Sequence, residues 1–135
     1  MLKFKKINMN PKGRKTGDCS TRAISYALGI SWEEALDLQV AEAKKCFYDV
    51  TSHQVMERVL AKFGYVKHSQ PRTKNNLKYP IYALDKCIAK ADRNKKIVCN
   101  VAHHYVVIEG NSYVDTWDSG YKCCGNYYVK ENERG

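Results

Sequence analysis

The stretch His104-Tyr105-Val106-Val107-Ile108-Glu109-Gly110-Asn111-Ser112-Tyr113-Val114-Asp115-Thr116-Trp117 sets two β-branched and aromatic runs around a Gly-Asn pair. Glycine and asparagine accept the positive φ of a two-residue turn, so the flanking runs read as the strands of one hairpin. A two-residue loop fixes the register: Val106 falls opposite Asp115, and His104 opposite Trp117. His104 and Asp115 then share a face as a diagonal pair, within reach of long side chains. His103 points to the other face, because a slip of one residue reverses side-chain direction. An odd-length loop without a bulge would favour His103 instead. Either register joins a histidine and a carboxylate on the sheet.

Working outward, Ile97-Val98-Cys99-Asn100-Val101 reads as a third strand and Tyr127-Tyr128-Val129 as a final one. Asp118-Ser119-Gly120 is a turn, and the polar tail frays. Before residue 96 the apolar spacing is helical. Ser31-Trp32-Glu33-Glu34 is a capping box, which starts a helix running from Trp32 to about Lys45 with Trp32, Ala35, Leu36, Val40 and Ala43 inward. Thr51 or Ser52 caps another, whose face is Val55, Met56, Val59, Leu60 and Phe63 and which Gly64 closes. Tyr65 and Val66 read as a brief strand or extended exit, residues 69–80 as a loop, and Ile81, Leu84, Cys87 and Ile88 as a weak helical spacing. Leu2 to Ile7 is a short strand or arm. Helices first and strands after predict an α+β fold with N-terminal helices packed on a C-terminal antiparallel sheet. At 135 residues, positions 1–135 read as a single domain able to bury a core.

The first helix carries the reactive residue. In Thr16-Gly17-Asp18-Cys19-Ser20-Thr21-Arg22-Ala23-Ile24-Ser25-Tyr26-Ala27-Leu28-Gly29, apolar positions 23, 24, 27 and 28 make one helical face, and Gly29 ends it. Asp18 is the predicted N-cap, so the helix begins at or beside Cys19. Free N–H groups and the positive end of the helix dipole favour an anion there, and a thiolate is one. The competing reading is a small apolar residue packed at a helix start.

Composition narrows the classes. No apolar run approaches the roughly 18 residues of a membrane span, and the basic start from Lys3 to Lys6 is not followed by the apolar core of a secretory signal. No membrane association and a cytoplasmic setting are the expectation. The six cysteines show no paired framework, and in a reducing compartment they act as thiols, ligands or nucleophiles. Cys99, His103, Cys123 and Cys124 offer soft metal ligands, but on an extended strand Cys99 and His103 lie about 13 Å apart, too far for one tetrahedral ion. No metal and no cofactor are expected. The net charge of +9 is concentrated early, with Lys3, Lys5, Lys6, Lys12, Arg14 and Lys15 and no acid in the first fifteen positions. Such a field attracts nucleic acid or an acidic protein, although no nucleic-acid motif accompanies it.

A thiol at a helix start and a histidine held by an acid on a sheet are the parts of acyl transfer. The imidazole takes the thiol proton, the carboxylate orients the ring, and the thiolate attacks a carbonyl. The Cys19 backbone N–H is one donor for the resulting oxyanion, and an upstream amide, Asn10 or else Asn8, is the second. Trp117 reads as a core or cleft-wall aromatic. Asn10-Pro11-Lys12-Gly13, Gly17-Asp18-Cys19-Ser20-Thr21-Arg22-Ala23, Ser31-Trp32-Glu33-Glu34 and His104-Tyr105-Val106-Val107 resemble small papain-like cysteine proteases of phages and bacteria. Gly110 and Asp115-Thr116-Trp117-Asp118-Ser119-Gly120 extend the likeness, which spans about Asn10 to Tyr128. A more distant likeness is to the peptidase domains that trim leader peptides during bacteriocin export. The resemblance implies a papain-like fold, Cys19 as nucleophile, His104 as base, Asp115 as orienting acid, a peptide or protein substrate, and the cytoplasm of a bacterium or phage-infected host. Gly13 stands where the papain group carries its oxyanion glutamine. Passing the acyl group to an amine instead of water would use the same residues. The other function class is a catalytically idle scaffold that binds nucleic acid or an acidic protein through its basic surface.

Overall fold

The computed structural model describes residues 1–131. In chain order they form β1 (Lys3–Lys6), α1 (Cys19–Leu28), α2 (Trp32–Cys46), α3 (His53–Lys62) and β2 (Tyr65–His68). A 3₁₀ helix (Ile81–Lys86) and α4 (Lys90–Arg93) precede β3 (Ile97–Val101), β4 (His104–Glu109), β5 (Ser112–Asp115) and β6 (Tyr127–Lys130). The fold is α+β. The fraying expected of the tail, from residue 132 on, lies outside the described residues.

One six-stranded sheet runs in the order β1-β5-β4-β3-β6-β2. The hairpin has the expected register: Val107 lies opposite Val114 and Glu109 opposite Ser112 across Gly110-Asn111. The sheet is mixed, however, rather than antiparallel. β1 pairs parallel with β5, Lys6 beside Asp115, while β2 pairs antiparallel with β6. Both outer strands come from the N-terminal half. Their sequences, KFKK and YVKH, carry few apolar residues because edge strands bury less.

The inner strands are apolar on both faces because each face has its own core. On one side Tyr105 and Val107 of β4 and Val98 of β3 pack against Ala23 and Ile24 of α1 and Val55, Met56, Val59 and Leu60 of α3. On the other, Val106, Ile108, Cys99, Val101 and Val129 pack against Ile81 and Leu84 of the 3₁₀ helix. Ser31 and Glu34 form the capping box at the start of α2, and the Ser52 side chain accepts from the Val55 N–H at α3. Gly29 ends α1 with φ 65°, a conformation in which a Cβ would be strained. No helix among the described residues is long and apolar enough to cross a membrane.

Helix α2 buries a different stripe from the one its apolar residues predict. Ala35, Gln39 and Glu42 are inward, whereas Trp32, Leu36, Val40 and Ala43 are only partly covered. Polar partners make this possible. Gln39 accepts from the Thr21 hydroxyl at 2.6 Å and donates to Ser20 Oγ at 2.9 Å, tying α2 to the first turn of α1. Glu42 meets Lys62 at 2.5 Å, Arg58 at 3.0 Å and Lys45 at 3.4 Å. The hydrogen bond from Lys62 outweighs burial and, with Arg58 and Lys45, holds the Glu42 carboxyl down at about 2. Its stabilisation is therefore complete above the ordinary value of 4.5 and is lost as pH falls through about 2. Glu42→Gln leaves three cations without a carboxylate, but their side chains are 45–55% exposed and can rehydrate. The expected cost is about 1–3 kcal/mol, read by urea denaturation at pH 7 and shrinking in acid.

Candidate active site

His104 is the first residue of β4 and Asp115 the last of β5, so the antiparallel pairing sets both at one end of the sheet. His104 Nε2 lies 2.6 Å from Asp115 Oδ2, and both residues are more than nine-tenths buried. The carboxylate is held from two further directions. The Ser119 hydroxyl donates to Oδ2 at 2.5 Å, and the Thr116 N–H donates to Oδ1 at 2.7 Å. Trp117 covers the imidazole, with ring centroids 5.0 Å apart, while keeping its outer edge in solvent. That shields the His104–Asp115 bond from water. Gly120 completes the turn because a Cβ there would collide with the Tyr113 phenol. Gly120→Ala is expected to cost about 1–3 kcal/mol in thermal or urea unfolding, since the neighbouring ring must move from a packed position.

Helix α1 starts with Cys19 at the same end of the sheet. Asp18 occupies the N-cap position but caps nothing: its side chain accepts from no backbone N–H of the first turn. The carboxylate turns away instead, accepting from Asn10 Nδ2 at 3.0 Å and Trp32 Nε1 at 2.9 Å, with Arg22 Nη1 at 3.3 Å. The sequence expectation of a side-chain cap at Asp18 is corrected here. Tryptophan, asparagine and arginine donors compete for the carboxylate, and the uncapped N–H groups remain available to an anion.

The His104 imidazole stands against the Cys19 thiol. Because Nε2 is committed to Asp115, Nδ1 is the nitrogen left for sulfur. Burial raises the thiol pKa, but the hydrogen bond and charge of His104, the Tyr105 backbone N–H and the Arg22 charge together bring it below its ordinary value. Burial likewise depresses His104, yet its bonds to Asp115 and Cys19 prevail and lift it to about 9. The two shifts run in the direction of a thiolate–imidazolium pair.

Around the pair opens a cleft of about 720 Å³, lined by Cys19, His103, His104, Trp117, Asn8 and the basic side chains of Lys6, Arg14, Lys15 and Arg22. Trp117 is thus on the cleft wall. His103 sits in the β3–β4 turn with φ 54°, exposed at the rim, and not on a strand face. Asn10 is buried away from the cleft: Nδ2 serves Asp18, and Oδ1 accepts from the Lys12 and Arg14 N–H groups. Asn8 is the upstream amide that lines the cleft. Cys99 and Cys124 are buried in the core against the 3₁₀ helix, while His103 and Cys123 are at the surface. Among the described residues no group of three or more histidine, cysteine or acidic side chains converges to hold a metal ion.

Sequence reasoning missed Ser119 and the anchoring of Asp18. The signal for Ser119 was an Asp-Ser-Gly turn four residues after Asp115, which folds a hydroxyl back on the carboxylate. Trp32 gave no signal, because its indole N–H reaches Asp18 from another helix. The arrangement is a thiol, an imidazole and a buried carboxylate, with four basic side chains along the cleft. Compared with family models, curated proteins and solved structures, the chain matches none.

Proposed function

We propose that this chain is a papain-like cysteine peptidase or amidase with Cys19 as nucleophile, His104 as base and Asp115 as orienting acid. The observation that carries the reading is the His104 imidazole, bonded to a buried carboxylate and lining one cleft with a helix-start thiol. The Cys19 thiolate adds to the carbonyl carbon of an amide, and the electron pair moves to oxygen. The Cys19 N–H and the Asn8 carboxamide are the donors assigned to that oxyanion. Imidazolium then gives its proton to the amine as the C–N bond breaks, leaving a thioester. Water attacks the thioester, His104 takes its proton, and the acid leaves as the sulfur is regenerated. An amine in place of water would make the same sequence a transfer.

The experiment is a peptide-library digestion read by mass spectrometry, with Cys19→Ala alongside. Cleavage products from the native chain only, and a thioester mass adduct trapped in acid, support the peptidase. Intact peptides together with a thiol that alkylates like free cysteine would leave the catalytically idle scaffold as the better account.

The titrations give the pH dependence its sign. Activity should rise as the thiol ionises, at a pH below the ordinary thiol value, and fall as His104 loses its proton near pH 9. Above that pH the thiolate lacks its counter-ion and the leaving amine lacks its acid. The groups facing the pair are Asp115, Arg22, Trp117 and the Tyr105 N–H. A kcat/KM profile from pH 5 to 10 should therefore be a bell with its alkaline limb near 9.

A further inference from the structure

We propose that the cleft selects acidic peptides, with aspartate or glutamate side chains flanking the amide presented to Cys19; this rests on the peptidase reading. The four cations come from three separate pieces of chain: Lys6 at the end of β1, Arg14 and Lys15 in the loop before α1, and Arg22 on its first turns. His103 adds a fifth nitrogenous group at the rim. No aspartate or glutamate lines the cavity.

Outside the cleft, several basic side chains have acidic partners. Lys45, Arg58 and Lys62 share Glu42, and Lys67 pairs with Glu57. Among the described residues, Lys6, Arg14 and Lys15 form no ion pair, and only Arg22 has a carboxylate, Asp18. Four cations with a single carboxylate partner among them therefore set a positive field along a cleft that holds the nucleophile, whose protein walls focus it. A substrate that answers this field must carry negative charge and also an acyl carbon, because the sulfur beside it is an acyl acceptor. Carboxylates on a peptide meet both demands. Nucleic acid meets the first only, and Trp117 has one face set against His104, which leaves at most the other for stacking.

The test uses three peptidyl acyloxymethyl ketones of one length, in which the thiolate displaces the acyloxy carboxylate from carbon. Their flanking residues are Asp/Glu, Asn/Gln or Lys, and iodoacetamide serves as the control for thiol chemistry. The acidic probe should label Cys19 at least about tenfold faster than its neutral twin at low ionic strength, with the lysine probe slowest. The preference should shrink to within about threefold near 0.5 M salt. It should also fall in Arg14→Gln/Lys15→Gln, where the ratio of acidic to neutral rates is the readout. Equal labelling by all three probes, with rapid iodoacetamide alkylation, would overturn the selectivity and leave the peptidase standing. Failure of every peptide probe, with alkylation at the rate of an ordinary cysteine, would overturn both. Protection of Cys19 by a single-stranded oligonucleotide without any acidic-probe preference would overturn the proposal in favour of nucleic acid.

Discussion

Replacing His104 with alanine is expected to lower kcat/KM for peptide cleavage by roughly 10²–10⁴-fold. The imidazole has two duties that no neighbour can assume. It removes the thiol proton, and as imidazolium it protonates the departing amine. Of the groups that lower the thiol pKa, His104 acts by both hydrogen bond and charge, whereas the Tyr105 N–H and Arg22 only assist. Without it, burial would push Cys19 toward the neutral thiol, so iodoacetamide alkylation at pH 7 should slow in parallel with cleavage. The variant loses a largely buried ring under Trp117, so its circular dichroism and melting curve are to be compared with the native chain. Unchanged cleavage and alkylation in a folded His104→Ala protein would remove His104 from the mechanism. Cys19→Ala should abolish the covalent step altogether.

Asp115→Asn should cost nearly as much while leaving the shape of the site intact. The Asp115 carboxylate accepts from three donors, namely His104 Nε2, the Ser119 hydroxyl and the Thr116 N–H. An asparagine amide can present acceptors to only some of them. With its NH₂ toward His104, Nε2 must become the acceptor, and the ring proton moves to Nδ1. That nitrogen then faces the sulfur as a donor and cannot take its proton. In serine proteases the same exchange of orienting carboxylate for amide lowers turnover by about 10⁴, and a loss of about 10²–10⁴ is expected here. The change should fall mainly on kcat, because Asp115 lies beneath the imidazole and is buried from the cleft. It should also lower the alkaline limb of the pH profile, since burial depresses His104 and the bond to this carboxylate does most to lift it back. Ser119→Ala, which keeps the carboxylate, should give a milder form of the same phenotype.

The hairpin was readable because its determinants are local. Gly110-Asn111 fixes the loop length, the loop length fixes parity, and parity decides that His104 and not His103 faces Asp115. Cys19 at the start of α1 was readable for the same reason: turn residues before it and an apolar stripe after it. What escaped depends on distant chain segments. The parallel pairing of β1 with β5 joins positions more than a hundred residues apart, and the strand has only Phe4 to mark it. The buried face of α2 was misread because Gln39 and Glu42 look like surface residues until Thr21, Ser20, Lys62 and Arg58 are brought to them. Asp18 was read as a cap since no sequence pattern announces that Trp32 and Asn10 will capture its carboxylate. In the last two cases a polar side chain was misplaced because its partners lay on other parts of the chain.

The most direct measurement is the ultraviolet titration of the Cys19 thiolate, taken as the difference between the native chain and Cys19→Ser and repeated in His104→Ala. The account predicts ionisation of Cys19 below the ordinary thiol range in the native protein, and a return upward once the imidazole is gone. A thiol that titrates at or above the ordinary value, and does so equally with and without His104, would contradict the ion pair and the chemistry built on it.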